Sequence, residues 1–260
     1  MTARASVRRA ARTLGFAAAA TGVLPLHAVH ERLVGADERD ALKERYKRAW
    51  CESMLRLFGV TIELSGAIPP RDRRGRLVVA NHRSAIDIVV MLRLFGGAML
   101  SRADIGGWPV LGAIARRIDT VFVDRESARS GAAAVRQMEE ALAAGRQITV
   151  FPEGTTYEGD EVRTFRRGGF TAAARANVPI LPVGVAYDAG SEAAFRDETF
   201  LAHLGRVAAA PPSVVRVAVG APLAPDTAPD VARARVQALV HEARRGGGLS
   251  VAGARRGRPR

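Results

Sequence analysis

The chain has 260 residues, 48% of them hydrophobic, enough to bury one sizeable core with terminal extensions. Its formal charge of +13 points to an anionic partner: nucleic acid, an acidic membrane surface or a phosphorylated substrate. The single cysteine, Cys51, excludes an intramolecular disulfide, the confinement of lysine to Lys43 and Lys47 excludes a G-x-x-x-x-G-K-[ST] phosphate loop, and no Cys/His cluster has zinc spacing.

Leu14 to Val29 is a mostly apolar run behind Arg4, Arg8, Arg9 and Arg12, as expected where a hydrophobic segment meets an anionic membrane face. It falls short of the roughly 20 apolar residues of a spanning helix. Thr21, Pro25 and His27 also interrupt it, so a shallow or re-entrant anchor is predicted, with a cleaved secretory signal as the alternative. From Ala41 to Phe58 the residues Leu42, Tyr46, Trp50, Leu55 and Phe58 recur at near-helical spacing. That helix either packs on the core or lies against lipid. Residues 1–49 are therefore read as a membrane-association segment at the cytoplasmic face of the inner membrane, 50–245 as the folded domain and 246–260 as a disordered Gly/Arg tail.

Beyond that helix, Val60–Leu64, Leu77–Ala80, Val121–Val123, Ile148–Phe151, Ile180–Val185 and Val214–Val219 read as strands. Helical patterns over Ser84–Phe95, Ala132–Ala144 and Asp230–Arg244 fall between or after them, with Gly145 as a left-handed stop. The alternation predicts a single layered α/β domain with a mixed, largely parallel sheet flanked by helices. In the tail, Arg256-Gly257-Arg258-Pro259 is either a solvated basic end near acidic lipid or a minor-groove arm; aromatics are only 5% of the chain, so no nucleic acid is expected.

The chemistry gathers at strand ends. Asn81-His82-Arg83-Ser84-Ala85-Ile86-Asp87 begins where Leu77–Ala80 stops, the side of an open α/β sheet where ligands sit. Five residues within one helix would put His82 and Asp87 about 140° apart, so His82 must precede the helix. With Ser84 as N-cap, Asp87 reaches the third helical position and an imidazole–carboxylate hydrogen bond becomes feasible. An ordinary capping box beside a loop histidine accounts for the same residues. Val150-Phe151-Pro152-Glu153-Gly154-Thr155-Thr156 ends a second strand, with backbone amides suited to an oxyanion; its plainer reading is a strand terminator. Arg125, after Val121-Phe122-Val123-Asp124, and Arg166 with Arg167 suit an anionic head group, or else a local ion pair and a solvated turn.

Together these residues resemble the glycerolipid acyltransferase family, which includes 1-acylglycerol-3-phosphate acyltransferases and related lysophospholipid acyltransferases. That family shows N-H-x-x-x-x-D, a strand ending in aspartate–arginine, F-P-E-G-T and V-P-[IV]-x-P-V, matched by Asn81–Asp87, Phe122–Arg125, Phe151–Thr155 and Val178–Val183 over about Trp50 to Pro222. The resemblance implies that His82 is the general base on the acceptor hydroxyl, Asp87 its orienting carboxylate, Arg125 a head-group contact, and Glu153 with Gly154 part of the acceptor site. Asn81, Ser84, Thr155 and Arg166 join them as candidate substrate contacts. It also implies an acyl-CoA or acyl-carrier-protein donor, no metal or cofactor, and a lysolipid acceptor, with 1-acyl-sn-glycerol-3-phosphate first and another lysophospholipid or lyso-ornithine lipid as alternatives. Two departures bear on the acceptor. Thr156 and Tyr157 follow F-P-E-G-T where many members acylating lysophosphatidic acid carry arginine and serine, and Arg102, Asp104 and Trp108-Pro109 look more like the lysophospholipid and lyso-ornithine-lipid branches.

Overall fold

A computed structural model describes residues 2–70, 74–108, 111–124, 127–246 and 249–252. Two long helices, α1 (Ala3–Leu33) and α2 (Arg39–Phe58), lead into β1 (Val60–Ser65) and β2 (Arg76–Ala80). There follow α3 (Ile86–Phe95), β3 (Ala98–Arg102), the short α4 (Ala103–Gly106) and α5 (Leu111–Arg117), β4 (Val121–Val123), α6 (Ala128–Ala143) and β5 (Gln147–Val150). The chain closes with α7 (Gly168–Ala176), β6 (Ile180–Tyr187), α8 (Phe200–Ala209), β7 (Ser213–Val219), α9 (Pro229–Arg245) and β8 (Leu249–Ala252). The strands form one sheet in the order β4-β3-β5-β2-β6-β7-β1-β8. Pairing is parallel except β6 with β7 and β1 with β8, so the sheet is mixed and largely parallel, as expected.

Both faces of the central strands are covered, which is why they read as continuous apolar runs. In β2, Leu77 and Val79 join one core with Ile148, Met138, Phe170 and Val236. Val78 and Ala80 face the other way, with Leu181, Val90, Phe95 and Leu55. α9 approaches β6 so closely that a Cβ at Gly184 would lie 2.4 Å from both the Leu239 carbonyl carbon and the Val240 nitrogen. Backbone rather than a movable side chain blocks the methyl, so Gly184→Ala is expected to cost about 3 kcal/mol. A urea midpoint equal to wild type would contradict that packing.

Three differences from the sequence reading have physical causes. β3 goes unpredicted because Ala98, Met99 and Leu100 favour helices, and pairing with β4 and β5 overrides that preference. The tail, read as disordered over 246–260, supplies β8, whose Leu249–Ala252 backbone pairs antiparallel with the edge strand β1; the Arg256–Pro259 word lies outside the described residues. The N-terminal run is not re-entrant but part of one 31-residue helix that packs on α2 and α8. Arg12, expected at the lipid surface, is buried: it donates to Leu57 O at the end of α2 (3.0 Å) and Ala210 O at the end of α8 (2.6 Å). Cations suit helix C-termini for the charge reason that gives helices their dipole. Arg8 likewise donates to Ala209 O at 2.8 Å. Among the described residues, no helix is long and apolar enough to cross a membrane.

Candidate active site

Strands β5, β2 and β6 lie side by side and parallel, so their carboxyl ends open at one sheet edge. The loop after β2 brings His82 there, the loop after β5 brings Phe151 and Glu153, and the last residue of β6 is Tyr187. Asn81 extends the β2–β6 ladder by one step: its side-chain amide donates to Val185 O and accepts from Val185 N, both at 2.8 Å. The loop therefore leaves the sheet only at His82.

His82 Nδ1 lies 2.9 Å from Asp87 Oδ2. The carboxylate also accepts from the backbone amides of Arg83 (2.5 Å) and Ser84 (2.8 Å), and its other oxygen accepts from the Tyr187 hydroxyl (2.6 Å). A carboxylate surrounded by donors assigns the Nδ1 proton to the ring and leaves the Nε2 lone pair free. The imidazole stacks on Phe151, centroids 4.0 Å apart and planes 8° from parallel, and stays partly exposed above the buried Asp87. One carboxylate thus both caps the turn before α3 and hydrogen-bonds the His82 ring. α3 begins at Ile86 with Ala85 as its N-cap, one residue later than expected, because Ser84 Oγ accepts from Ile86 N (3.1 Å) in a turn before the helix.

The second loop is braced to the first by charge. Glu153, 4% exposed, accepts from His82 N (2.8 Å), Arg83 Nη1 (2.9 Å) and Arg163 N (2.9 Å). Its oxygens are spent on the protein, which corrects the expectation that this carboxylate touches the acceptor. Asn81 and Ser84, also expected as substrate contacts, are fully buried, Asn81 on β6 and Ser84 against His203 Nε2 (3.3 Å). Gly154 turns with φ +89°, and a Cβ there would lie 2.6 Å from Arg166 Nε, so glycine lets the guanidinium sit over this turn. Its amide, expected to be available for an oxyanion, donates instead to Phe151 O at 3.0 Å. Thr155 is exposed, and among the described residues its amide has no internal partner. Arg166 is exposed beside Gly154 with no ion pair among the described residues. Arg163 pairs with Glu161 (3.1 Å) and lies over the Tyr157 ring. Arg125 lies outside the described residues.

Sequence reasoning missed Arg83, Tyr187 and His203. Arg83 occupies a variable position of N-H-x-x-x-x-D, and its partner is 70 residues away. Tyr187 did carry a signal, as a polar-tipped aromatic closing the apolar run of β6. Among the described residues the site thus presents an imidazole held by a carboxylate and a guanidinium without an ion pair, and no group of three His, Cys, Asp or Glu able to hold a metal.

An acyltransferase family model matches residues 60–186, from the start of β1 to the penultimate residue of β6. The chain is 35% identical over 204 residues to the lyso-ornithine lipid O-acyltransferase of Pseudomonas aeruginosa, covering 76% of this chain and 77% of that one. The chain belongs to the acyltransferase family. This acyltransferase is also 33% identical to the 1-acyl-sn-glycerol-3-phosphate acyltransferase of Neisseria gonorrhoeae over 122 residues, 47% of this chain and 48% of that one. Its fold matches the crystal structure of the 1-acyl-sn-glycerophosphate acyltransferase of Thermotoga maritima with a TM-score of 0.74, at 18% identity over 92% of this chain and 95% of that one.

Proposed function

We propose that the protein transfers a fatty acyl group from a thioester, acyl-CoA or acyl-carrier protein, to the hydroxyl of a lysolipid at a membrane surface. The observation that carries the reading is the His82–Asp87 hydrogen bond of 2.9 Å, with no partner for Nε2 among the described residues. His82 Nε2 takes the acceptor proton as the hydroxyl oxygen attacks the thioester carbonyl, and Asp87 holds the imidazolium that forms. When the tetrahedral intermediate collapses, the carbon–sulfur bond breaks and the imidazolium returns its proton to the departing thiolate. Among the described residues, the exposed Thr155 amide is the donor available for developing negative charge.

For the acceptor, lyso-ornithine lipid comes first, supported by the likeness to the Pseudomonas aeruginosa enzyme over three quarters of both chains and by Thr156-Tyr157 in place of arginine–serine. 1-Acyl-sn-glycerol-3-phosphate is the second reading, favoured by Arg166, which offers a phosphate the charge that Thr156 lacks. Initial rates on both acceptors and on neutral lysophospholipids decide the order: lyso-ornithine lipid should be fastest, and a faster reaction with lysophosphatidic acid would reverse the two. Arg166→Ala should raise the acceptor KM about 10-fold while kcat changes little, the sign of lost head-group binding. An unchanged KM would remove Arg166 from the acceptor site.

The membrane reading is supported by α1. Leu14, Leu26, Val29 and Leu33 are exposed on it, and the stretch from Thr13 to Leu26 carries no charge. A helix of this kind lies along a bilayer rather than across it, with the exposed Arg4 and Arg9 near acidic cytoplasmic lipid.

A further inference from the structure

We propose that Tyr187 is a positioning residue that sets the working pH of the His82–Asp87 pair, by holding part of the Asp87 charge away from the imidazole. This rests on the reading of His82 as the base. The two Asp87 oxygens are divided: Oδ2 takes the His82 ring and two backbone amides, while Oδ1 is given to the Tyr187 hydroxyl at 2.6 Å. Tyr187 is 3% exposed and held at its backbone carbonyl by Arg244 of α9 and at its hydroxyl by Asp87.

The groups facing this carboxylate come from every element around it. His82 and Arg83 come from the loop after β2, but the Arg83 guanidinium is committed to Glu153 from the loop after β5. From α8, His203 reaches the same turn: its Nε2 accepts from Ala85 N (3.1 Å) and meets Ser84 Oγ, and its Nδ1 faces Glu198 (3.1 Å). Burial, then the neighbouring Asp87, raises the Tyr187 pKa well above the usual phenol range. Burial lowers that of His203, and hydrogen bonding to Arg206 brings Glu198 down to about 2. Tyr187 therefore remains a neutral donor, His203 a neutral ring and Glu198 a carboxylate around neutral pH. The phenol is then a constant influence on how much charge Asp87 offers His82.

Removing the donor leaves Asp87 more charge to stabilise the imidazolium. In Tyr187→Phe the acid limb of kcat/KM should move up by about half to one pH unit, a loss of about 3- to 10-fold along that limb with the plateau above it unchanged. Replacing Tyr187 by 3,5-difluorotyrosine keeps the ring and makes the hydroxyl a stronger donor, so the limb should move down. NMR titration of the His82 ring in the free protein should follow the same two directions without any substrate. A limb and a ring titration that stay put in the fluorinated protein would overturn the proposal, even if Tyr187→Phe fails to fold. Ring titrations that move as expected in a protein that acylates nothing would support the coupling and overturn the acyl-transfer reading instead.

Discussion

His82→Ala should lower kcat/KM for acyl transfer by about 10³-fold, the middle of the range for loss of a general base. The protein should keep its urea midpoint, because the ring is partly exposed and its packing is a single stacked face against Phe151. The parallel experiment at Asp87 is less clean. That carboxylate accepts from the Arg83 and Ser84 amides and the Tyr187 hydroxyl as well as from His82, so its removal injures the turn together with the chemistry. Only His82 separates mechanism from architecture. Residual turnover above a tenth of wild type would remove the imidazole from the reaction.

Arg83→Met should unfold the protein at markedly lower urea, a loss of about 3–5 kcal/mol, because the Glu153 carboxylate would stay buried without its counter-charge. Both side chains are almost wholly buried, so water cannot take over for the missing guanidinium. The backbone amides of His82 and Arg163 remain as partners, but the ion pair is the cross-brace between the two loops. Activity should fall as well, since His82 and the Gly154 turn are held at the ends of that brace. Adding Glu153→Gln to Arg83→Met should recover part of the stability, as removing both charges relieves the unpaired one. A single substitution costing under about 1 kcal/mol would mean that the pair behaves like a surface one.

The sheet and the location of the site were legible in the sequence because the strands that build them are buried on both faces and end abruptly in polar residues. Leu77–Ala80 followed by Asn81-His82, and Ile148–Val150 followed by Phe151-Pro152-Glu153, mark one sheet edge once the strands are known to be parallel neighbours. Residue type predicted the His82–Asp87 contact; it did not predict that Glu153, Asn81 and Ser84 face inward. Motif letters report which groups a loop needs, and a carboxylate that braces a loop has the same letter as one that binds substrate. The partners of Arg83, Tyr187 and His203 were invisible for a different reason: each lies between about 70 and 119 positions away, and local pattern carries no information about such pairings. The arginines of α1 show the same limit. Composition assigns them all to lipid, whereas Arg8 and Arg12 are fixed on the carbonyls that end α8 and, for Arg12, α2 as well.

Direct transfer from thioester to lysolipid, with His82 as the base, leaves no acyl group on the protein at any stage. Rapid-quench analysis with labelled acyl thioester and lyso-ornithine lipid can follow thiol release, lipid ester and protein-bound label together. One acyl ester should appear on the acceptor hydroxyl per thiol released, with no acylated protein at any time and negligible thiol release when acceptor is omitted or His82 is alanine. Label trapped on the protein, or thiol released without ester, would contradict it.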